Sequence, residues 1–564
     1  MDKRFFLALF LSLIVIALSQ LLFPPAKPVT VPSAGTVRDS TATPSGAASS
    51  TQPSVQPTAT TSPITAPSAS RSSTAAASDT TVAVTAETTA ISTAKAIYKF
   101  SNVGAAPLSV VTRDYRNRSG SGGPVDLSVG GSPLLGYRLV TPGDTTDLSQ
   151  VPFALSRARN AKGDETLTYT ATVKNLPVSI TYSIPADTVE SYVVHVTGRV
   201  EGVQGKAYLV TELPKTLQPT EADTVEDYRT LAYSFKRQGD NAGNVLFGAL
   251  DPGEKILETG PLNWAAVKSK YFVVGILAPP DGPLFSEVTL TGGPRTSKVA
   301  TTASASVVQE IRNNEFSFDV YAGPQESQRL IRMGRDFDHV NPYGWRFLQT
   351  VVHPIASKAI EFLLWMHNRL NLSYGWVLIV LGVLVRLVLW PLNQSAMRSS
   401  LKMQEVQPKL QAAQKKYKDP VQQREAIMKV YKDAGVSPFA GLTGCLPALL
   451  PMPVLFALFF VFQNTIEFRG VPFMWLHDIS VKDPFYVLPL LMGASMYVLS
   501  WIGMRNAPPN PQAKMMMYMF PVMMTVVLLN MASGLNLYYT AQNVAALPQQ
   551  WLLARERARA RAAG

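Results

Sequence analysis

At 564 residues the chain exceeds one compact domain, and its 46% hydrophobic and 16% charged content points to apolar spans joined to soluble parts. The net charge of +12 suits a cytoplasmic membrane flank or a nucleic-acid surface. A lone cysteine, Cys445, excludes an internal disulfide framework. The sequence has no CxxC, HExxH or Walker-type run, so no metal, cofactor, ATP-driven step or enzymatic reaction is expected.

Lys3 and Arg4 precede the uncharged run Phe5–Phe23, which Pro24 and Pro25 close. That run is longer than the apolar part of a usual signal peptide. It predicts an uncleaved transmembrane anchor over residues 1–24 with its N-terminus in the cytoplasm. Residues 25–94 are rich in Pro, Ser, Thr, Ala and Val and poor in aromatics, the composition of a disordered linker. Over residues 95–325 the pattern changes to short alternating runs. Val178, Ile180, Tyr182 and Ile184 interleave with Ser179, Thr181 and Ser183, and Tyr192–Val200, Tyr271–Leu277 and Phe316–Tyr321 are similar. These predict a β-sandwich, which lies outside the cytoplasm, on the periplasmic side, if the first span has its N-terminus in the cytoplasm. Residues 340–370 predict an amphipathic helix with Phe347, Val351, Ile355, Ala359, Phe362 and Met366 as its apolar stripe. Such a helix lies along the bilayer surface or packs on the β domain.

The membrane core is expected over residues 373–555. Tyr374–Leu392 is apolar except for Arg386, and no charge occurs between Asp433 and Glu467 or between Asp483 and Arg505. The uncharged stretch between Lys514 and Arg555 has room for two spans of about 20 residues, turning near Ala532-Ser533-Gly534. With the anchor this makes six spans. Basic residues cluster in Asn393–Asp433, at Arg505 and Lys514, and at Arg555, Arg557, Arg559 and Arg561 leading into a tail over 556–564. Six crossings put all three clusters on one side, which the positive-inside rule makes cytoplasmic. Within 395–433, Met403, Val406, Leu410 and Ala413 form one stripe and Ile427, Val430 and Tyr431 another, separated by Asp419-Pro420. This reads as a helical hairpin. A single aromatic, Tyr417, stands within the basic run Lys415–Lys418, which argues against direct nucleic-acid binding. The fold class is thus mixed: a six-span α-helical membrane protein with a large periplasmic β-sandwich domain and a cytoplasmic helical hairpin.

Arg386 is the anomaly in this pattern. A charge within a span costs roughly 2.5–3.5 kcal/mol on insertion. Either its long stem snorkels to the nearby cytoplasmic surface, or it is the floor of a wet cavity. Asn530, Ser533, Asn536, Gln542 and Asn543 are the candidate polar neighbours in that cavity. No span holds an Asp or Glu, which counts against an ion-coupled transporter. An envelope scaffold, with the β domain as the working part, is the other alternative. The methionines of Met515–Met531 suit a surface that accepts varied partners, and equally suit packing.

Arg386 with Pro391-Leu392, Met403 with Gln407-Pro408-Lys409, Cys445-Leu446-Pro447 and Met452-Pro453 form an ordered set. Asp483-Pro484, Leu488-Pro489, Phe520-Pro521, Ser533-Gly534-Leu535, Leu537-Tyr538-Tyr539 and Asn543 continue it. In this order the chain resembles the YidC-type bacterial membrane protein insertases, closely from Tyr343 to about Leu553. The resemblance implies a five-span core with a hydrophilic groove open to cytoplasm and lipid, in which Arg386 attracts the polar tail of a substrate. It implies a substrate-contacting slide at Leu449, Met452, Leu455, Tyr538 and Tyr539. The implied partners are nascent membrane proteins, the Sec translocon, the lipid bilayer, and through the hairpin the ribosome and the signal-recognition receptor. The implied function is to insert and help fold integral proteins of the inner membrane, alone or with the translocon. The sequence departs from the family pattern at Pro451, Gly382 and Ala532, which leaves the polarity of the groove near Arg386 open.

Overall fold

The computed structural model describes residues 86–563 apart from 121, 187–191, 296, 342, 344–348, 392–393, 395–405, 407–408, 411, 415, 418, 434–451 and 506–510. The predicted anchor, most of the linker, Leu449, Pro451 and most of the first hairpin helix lie outside the described residues.

Strand structure begins inside the segment read as linker. A four-stranded antiparallel sheet runs in the order β1 (Thr88–Ser92), β2 (Ala96–Ser101), β3 (Ala106–Arg116) and β4 (Pro124–Asp126). The Ser/Thr/Ala composition of β1 hides its one anchor, Ile91, which is buried while its neighbours face outward. The remaining strands, from Gly136–Thr141 to Glu315–Pro324, form a single 14-stranded antiparallel sheet. In Leu176–Ile184 the alternation puts Val178, Ile180, Tyr182 and Ile184 inside, as the period-two pattern requires.

That sheet folds over on itself. Tyr137 and Tyr182 belong to strands with seven others between them in the sheet order. A flat sheet would hold them roughly 38 Å apart at ~4.8 Å per strand step, yet their hydroxyls lie 2.9 Å apart. Tyr182 then donates to the carbonyl of Ala105, beside the smaller sheet, at 2.6 Å. Tyr98, Phe100 and Val110 of the small sheet share one apolar core with Val194, Val274 and Val320 of the large one. The result is a sandwich whose interior is dominated by aromatic side chains.

Helices follow the β domain. Short α1 (Thr224–Thr230) and α2 (Ser327–Arg332) decorate it, and Phe337–Val340 forms a 3₁₀ turn at its end. Next come α3 (Gln349–Leu370), α4 (Tyr374–Val388), α5 (Pro420–Asp433), α6 (Met452–Asn464), α7 (Val487–Met504), α8 (Pro511–Leu528) and α9 (Ser533–Ala563). Asn371, at φ 51°, takes the left-handed conformation that stops α3. Among the described residues one helix, Val487–Met504, is by itself long and apolar enough to cross a membrane, and Tyr374–Val388, Pro453–Asn464 and Met517–Leu528 are shorter apolar helices.

The bundle is built around α9, which lies against α4 and α7 and touches α6, while α8 packs on α7. Helix α3 packs on α6 and α4. Its buried residues are Val352, Ala356, Ile360, Leu363, Leu364 and Met366; of the expected stripe Met366 is buried, Ile355, Ala359 and Phe362 are partly buried against the same core, and Phe347 lies outside the described residues. Val351 and Trp365 are exposed instead. The better packed face of the helix meets the neighbouring helix α6. In the hairpin region Val406, Leu410 and Ala413 are buried, and Gln423 Nε2 donates to the carbonyl of Gln414 across to α5. The basic tail is no separate element: α9 runs through Arg555 to Ala563 as one helix.

Candidate substrate site

Arg386 sits in the last turn of α4. One guanidinium nitrogen donates to Gln549 Oε1 on α9 at 2.8 Å, and Gln549 Nε2 donates to the carbonyl of Trp390 at 3.1 Å. The guanidinium is therefore turned into the bundle and held by a glutamine that is 2% exposed. Arg386 Nε is enclosed and has no hydrogen-bond partner within the protein. Gln550 Oε1, beside the anchor, is also enclosed without one. The helices approach closely just before this point. A Cβ on Gly382 would lie 3.0 Å from the carbonyl oxygen of Tyr538 and 3.2 Å from Cβ of Ala541. Gly382, the departure from the family pattern, is what lets α4 and α9 meet and brings Arg386 within reach of Gln549.

The other expected groove residues lie elsewhere. Ser533 and Asn536 open α9 and are fully buried, about 20 Å along the helix from Gln549 at ~1.5 Å per residue. Ser533 Oγ donates to the carbonyl of Asp478 at 3.4 Å, and Asn536 Nδ2 to that of Leu528 at 3.1 Å. Asn530 is exposed in the turn before α9. Asn543 Nδ2 reaches Ser495 Oγ on α7 at 3.1 Å. Ser533 and Asn536 thus hold the end of the bundle opposite Arg386. Of the slide residues, Met452 begins α6 and Leu455 is half-buried on it. Tyr538 is fully buried, 5.4 Å from both Phe462 and Tyr539 by ring centres. An exposed apolar stripe runs along α8 instead, through Met515, Tyr518, Met519, Val522 and Val526.

The sequence offered no signal for the groups that lock this far end. The loop between α6 and α7 docks onto the β domain through three acid or base side chains. Arg469 pairs with Glu221 at 2.7 Å and donates to the carbonyls of Arg116 and Thr220. Asp478 pairs with Arg118. Glu467 Oε1 accepts from the backbone N–H of Ser327 at 3.3 Å, while Oε2 is enclosed and unpartnered. Burial pushes the Glu467 carboxyl up from 4.5 to about 7, with nearby Glu326 adding to the rise. Its contribution to stability is therefore present in full below about pH 4.5 and is lost as pH rises through 7. Glu467→Gln is expected to remove this dependence and to stabilise the chain at pH 8 by up to about 3 kcal/mol, as unfolding curves at pH 5 and 8 would show. Equal pH dependence in the variant would refute this.

Asp483, fully buried, accepts from the backbone N–H groups of Phe485 and Leu488 and from Trp475 Nε1 at 3.0, 2.8 and 3.3 Å. It satisfies donors left open where α7 starts, which gives the Asp483-Pro484 motif a physical role. Asp483→Ala should cost about 2–3 kcal/mol and Asp483→Asn less, read as a drop in the unfolding midpoint in detergent. A midpoint unchanged in Asp483→Ala would show that the cap does not matter.

The described residues thus form a large β-sandwich joined, through the loop between α6 and α7, to a bundle of helices, one of which carries a tethered arginine. The family model described as 60Kd inner membrane protein matches residues 365–560, and that described as YidC periplasmic domain matches residues 88–356. A membrane protein insertase YidC of Chlorobium phaeovibrioides is 31% identical over 67% of this chain and 67% of its own length. The protein of that name from Oleidesulfovibrio alaskensis is 37% identical over 52% of this chain and 54% of its own. A crystal structure of an active YidC insertase with its first transmembrane domain resolved covers 82% of this chain and 92% of that one, at 18% identity and a TM-score of 0.33. On the sequence matches, the chain belongs to the YidC family of membrane protein insertases.

Proposed function

We propose that this chain inserts nascent membrane proteins into the inner membrane and helps them fold, alone or beside the Sec translocon, without hydrolysing ATP itself. The observation that carries the reading is Arg386, a cation in an apolar helix held inward by Gln549 with one donor still unmatched. A polar or acidic substrate tail is the chemistry such a group attracts. Asn530, Ser533 and Asn536 belong in this account to the closed exterior end, so a tail enters from the cytoplasm and meets Arg386 first. The substrate's apolar segment then leaves along the lipid-facing side near Met452, Leu455 and Tyr539, and its own burial in lipid drives the step.

The topology follows: the β domain is periplasmic, six spans cross the membrane with the N-terminus in the cytoplasm, and residues 395–433 with α5 form the cytoplasmic hairpin. That hairpin, with Arg424, Lys429 and Lys432 on α5, is where ribosome and signal-recognition receptor would dock. Deleting residues 95–325 distinguishes this function from that of an envelope scaffold. The truncated chain should still insert a small single-span substrate, because Arg469 and Asp478 would become solvated on the exterior side and leave Arg386 untouched. Complete loss of insertion by a truncated chain that still folds in the membrane would overturn the reading.

A further inference from the structure

The sequence carries no metal-binding spacing, but the fold brings three donors together at the junction of the β domain and α3. Asp338 and His339 lie on the 3₁₀ turn Phe337–Val340 that closes the β domain, and His353 lies in the first turns of α3. Their donor atoms all fall within 4.8 Å of one another. Both Nε2 atoms face the same carboxylate oxygen: His339 at 3.9 Å and His353 at 3.8 Å from Asp338 Oδ2. The two imidazoles are 3.9 Å apart by ring centres and tilted by 54°.

These separations are too long for hydrogen bonds, and His353 Nε2 is enclosed with no hydrogen-bond partner. A ligand cation placed among the three donors would satisfy all of them at once. Tetrahedral bonds of ~2.0–2.1 Å put donors about 3.3 Å apart, so each histidine nitrogen need approach the Asp338 oxygen by only about half an ångström. His353 has the support a ligand needs: Nδ1 lies 3.4 Å from Ser357 Oγ, which orients the ring with Nε2 toward Asp338. Tyr343 covers the other side, its ring 5.3 Å from that of His353. Lys236 is paired with Asp336 at 3.1 Å, which offsets its charge and leaves the Asp338 carboxylate to face a divalent ion.

We propose that Asp338, His339 and His353 form a binding site for a divalent transition metal, of which Zn²⁺ is the natural occupant, clipping the end of the β domain to α3. Two imidazoles and one carboxylate favour zinc or cobalt over calcium or magnesium, which prefer oxygen ligands. The fourth position is open to water. The site is independent of the Arg386 groove and stands whether or not insertion proceeds as described above.

The test uses the untagged full-length chain in detergent, stripped with EDTA, dialysed against Zn²⁺ or Co²⁺ and passed through a desalting column. The expected result is one Zn²⁺ retained per chain by elemental analysis, with visible ligand-field bands in the Co²⁺ form. Asp338→Asn, which keeps the side chain's shape, and His353→Ala should each weaken retention at least about tenfold. His195→Ala, at an imidazole paired with Asp319 in the β domain, should leave it unchanged. No metal retained by the unaltered chain, or equal retention in Asp338→Asn, would overturn the proposal.

Discussion

Arg386→Ala is expected to lower insertion of substrates with acidic tails roughly tenfold to a hundredfold, the factor that matches ~1.5–3 kcal/mol for a hydrogen bond to a charged group. Arg386→Glu should do worse, because it sets like charges against each other where water is scarce. Arg386→Lys should keep most of the activity, since the cation remains although the guanidinium hydrogen bond to Gln549 is lost. Gln549→Leu gives an intermediate effect: the charge stays but loses the anchor that turns it inward. A protease-protection assay on tails of matched length, with two Asp or two Asn residues, reads these differences. Arg386→Ala inserting acidic tails as well as the unaltered chain would remove the arginine from the mechanism.

The second large effect concerns stability at the junction of loop and β domain. Arg469 and Glu221 side chains are only 3% and 9% exposed. The guanidinium also lies over the rings of Tyr271 and Phe272, at 6.0 and 5.7 Å. Removing one member of a buried pair leaves the other charge uncompensated, which typically costs about 3–5 kcal/mol. Arg469→Ala should therefore loosen the loop between α6 and α7, read as faster amide exchange at residues 466–480 and earlier unfolding of the β domain. The double variant Arg469→Met with Glu221→Leu should recover a large part of the loss, because no charge is stranded. Strictly additive losses in the double variant would mean that the pair is not coupled.

Much of the β domain was legible because one of its strands, Leu176–Ile184, shows a clean period of two that burial reproduces residue by residue. Strand β1 was not, since its Thr, Ala and Ser match a linker in composition and pairing with β2 supplies the order. On α3 Met366 of the expected stripe is buried, while Val352, Ala356 and Ile360 take the place of its earlier members because helix–helix packing, absent from a one-helix reading, selects the buried face. At the candidate site, Arg386 was legible as a lone charge among apolar residues. Its partner was not: Gln549 follows Pro548 near the end of the predicted span, where a polar residue raises no suspicion. Ser533 and Asn536 drew attention as polar groups in a span, but backbone carbonyls at the opposite end of the bundle take up their hydrogen bonds. Gly382 looked like a loss of groove polarity. The close approach to Tyr538 gives it a different meaning, as the crossing point that positions the arginine.

The most direct test is reconstitution of the purified chain into liposomes with a small single-span substrate and no nucleotide. The account predicts that the substrate becomes protected from external protease in proportion to the chain present, and that protection falls at least about tenfold with Arg386→Ala when the tail is acidic. Protection no greater than in protein-free liposomes, with the chain folded and correctly inserted, would contradict it.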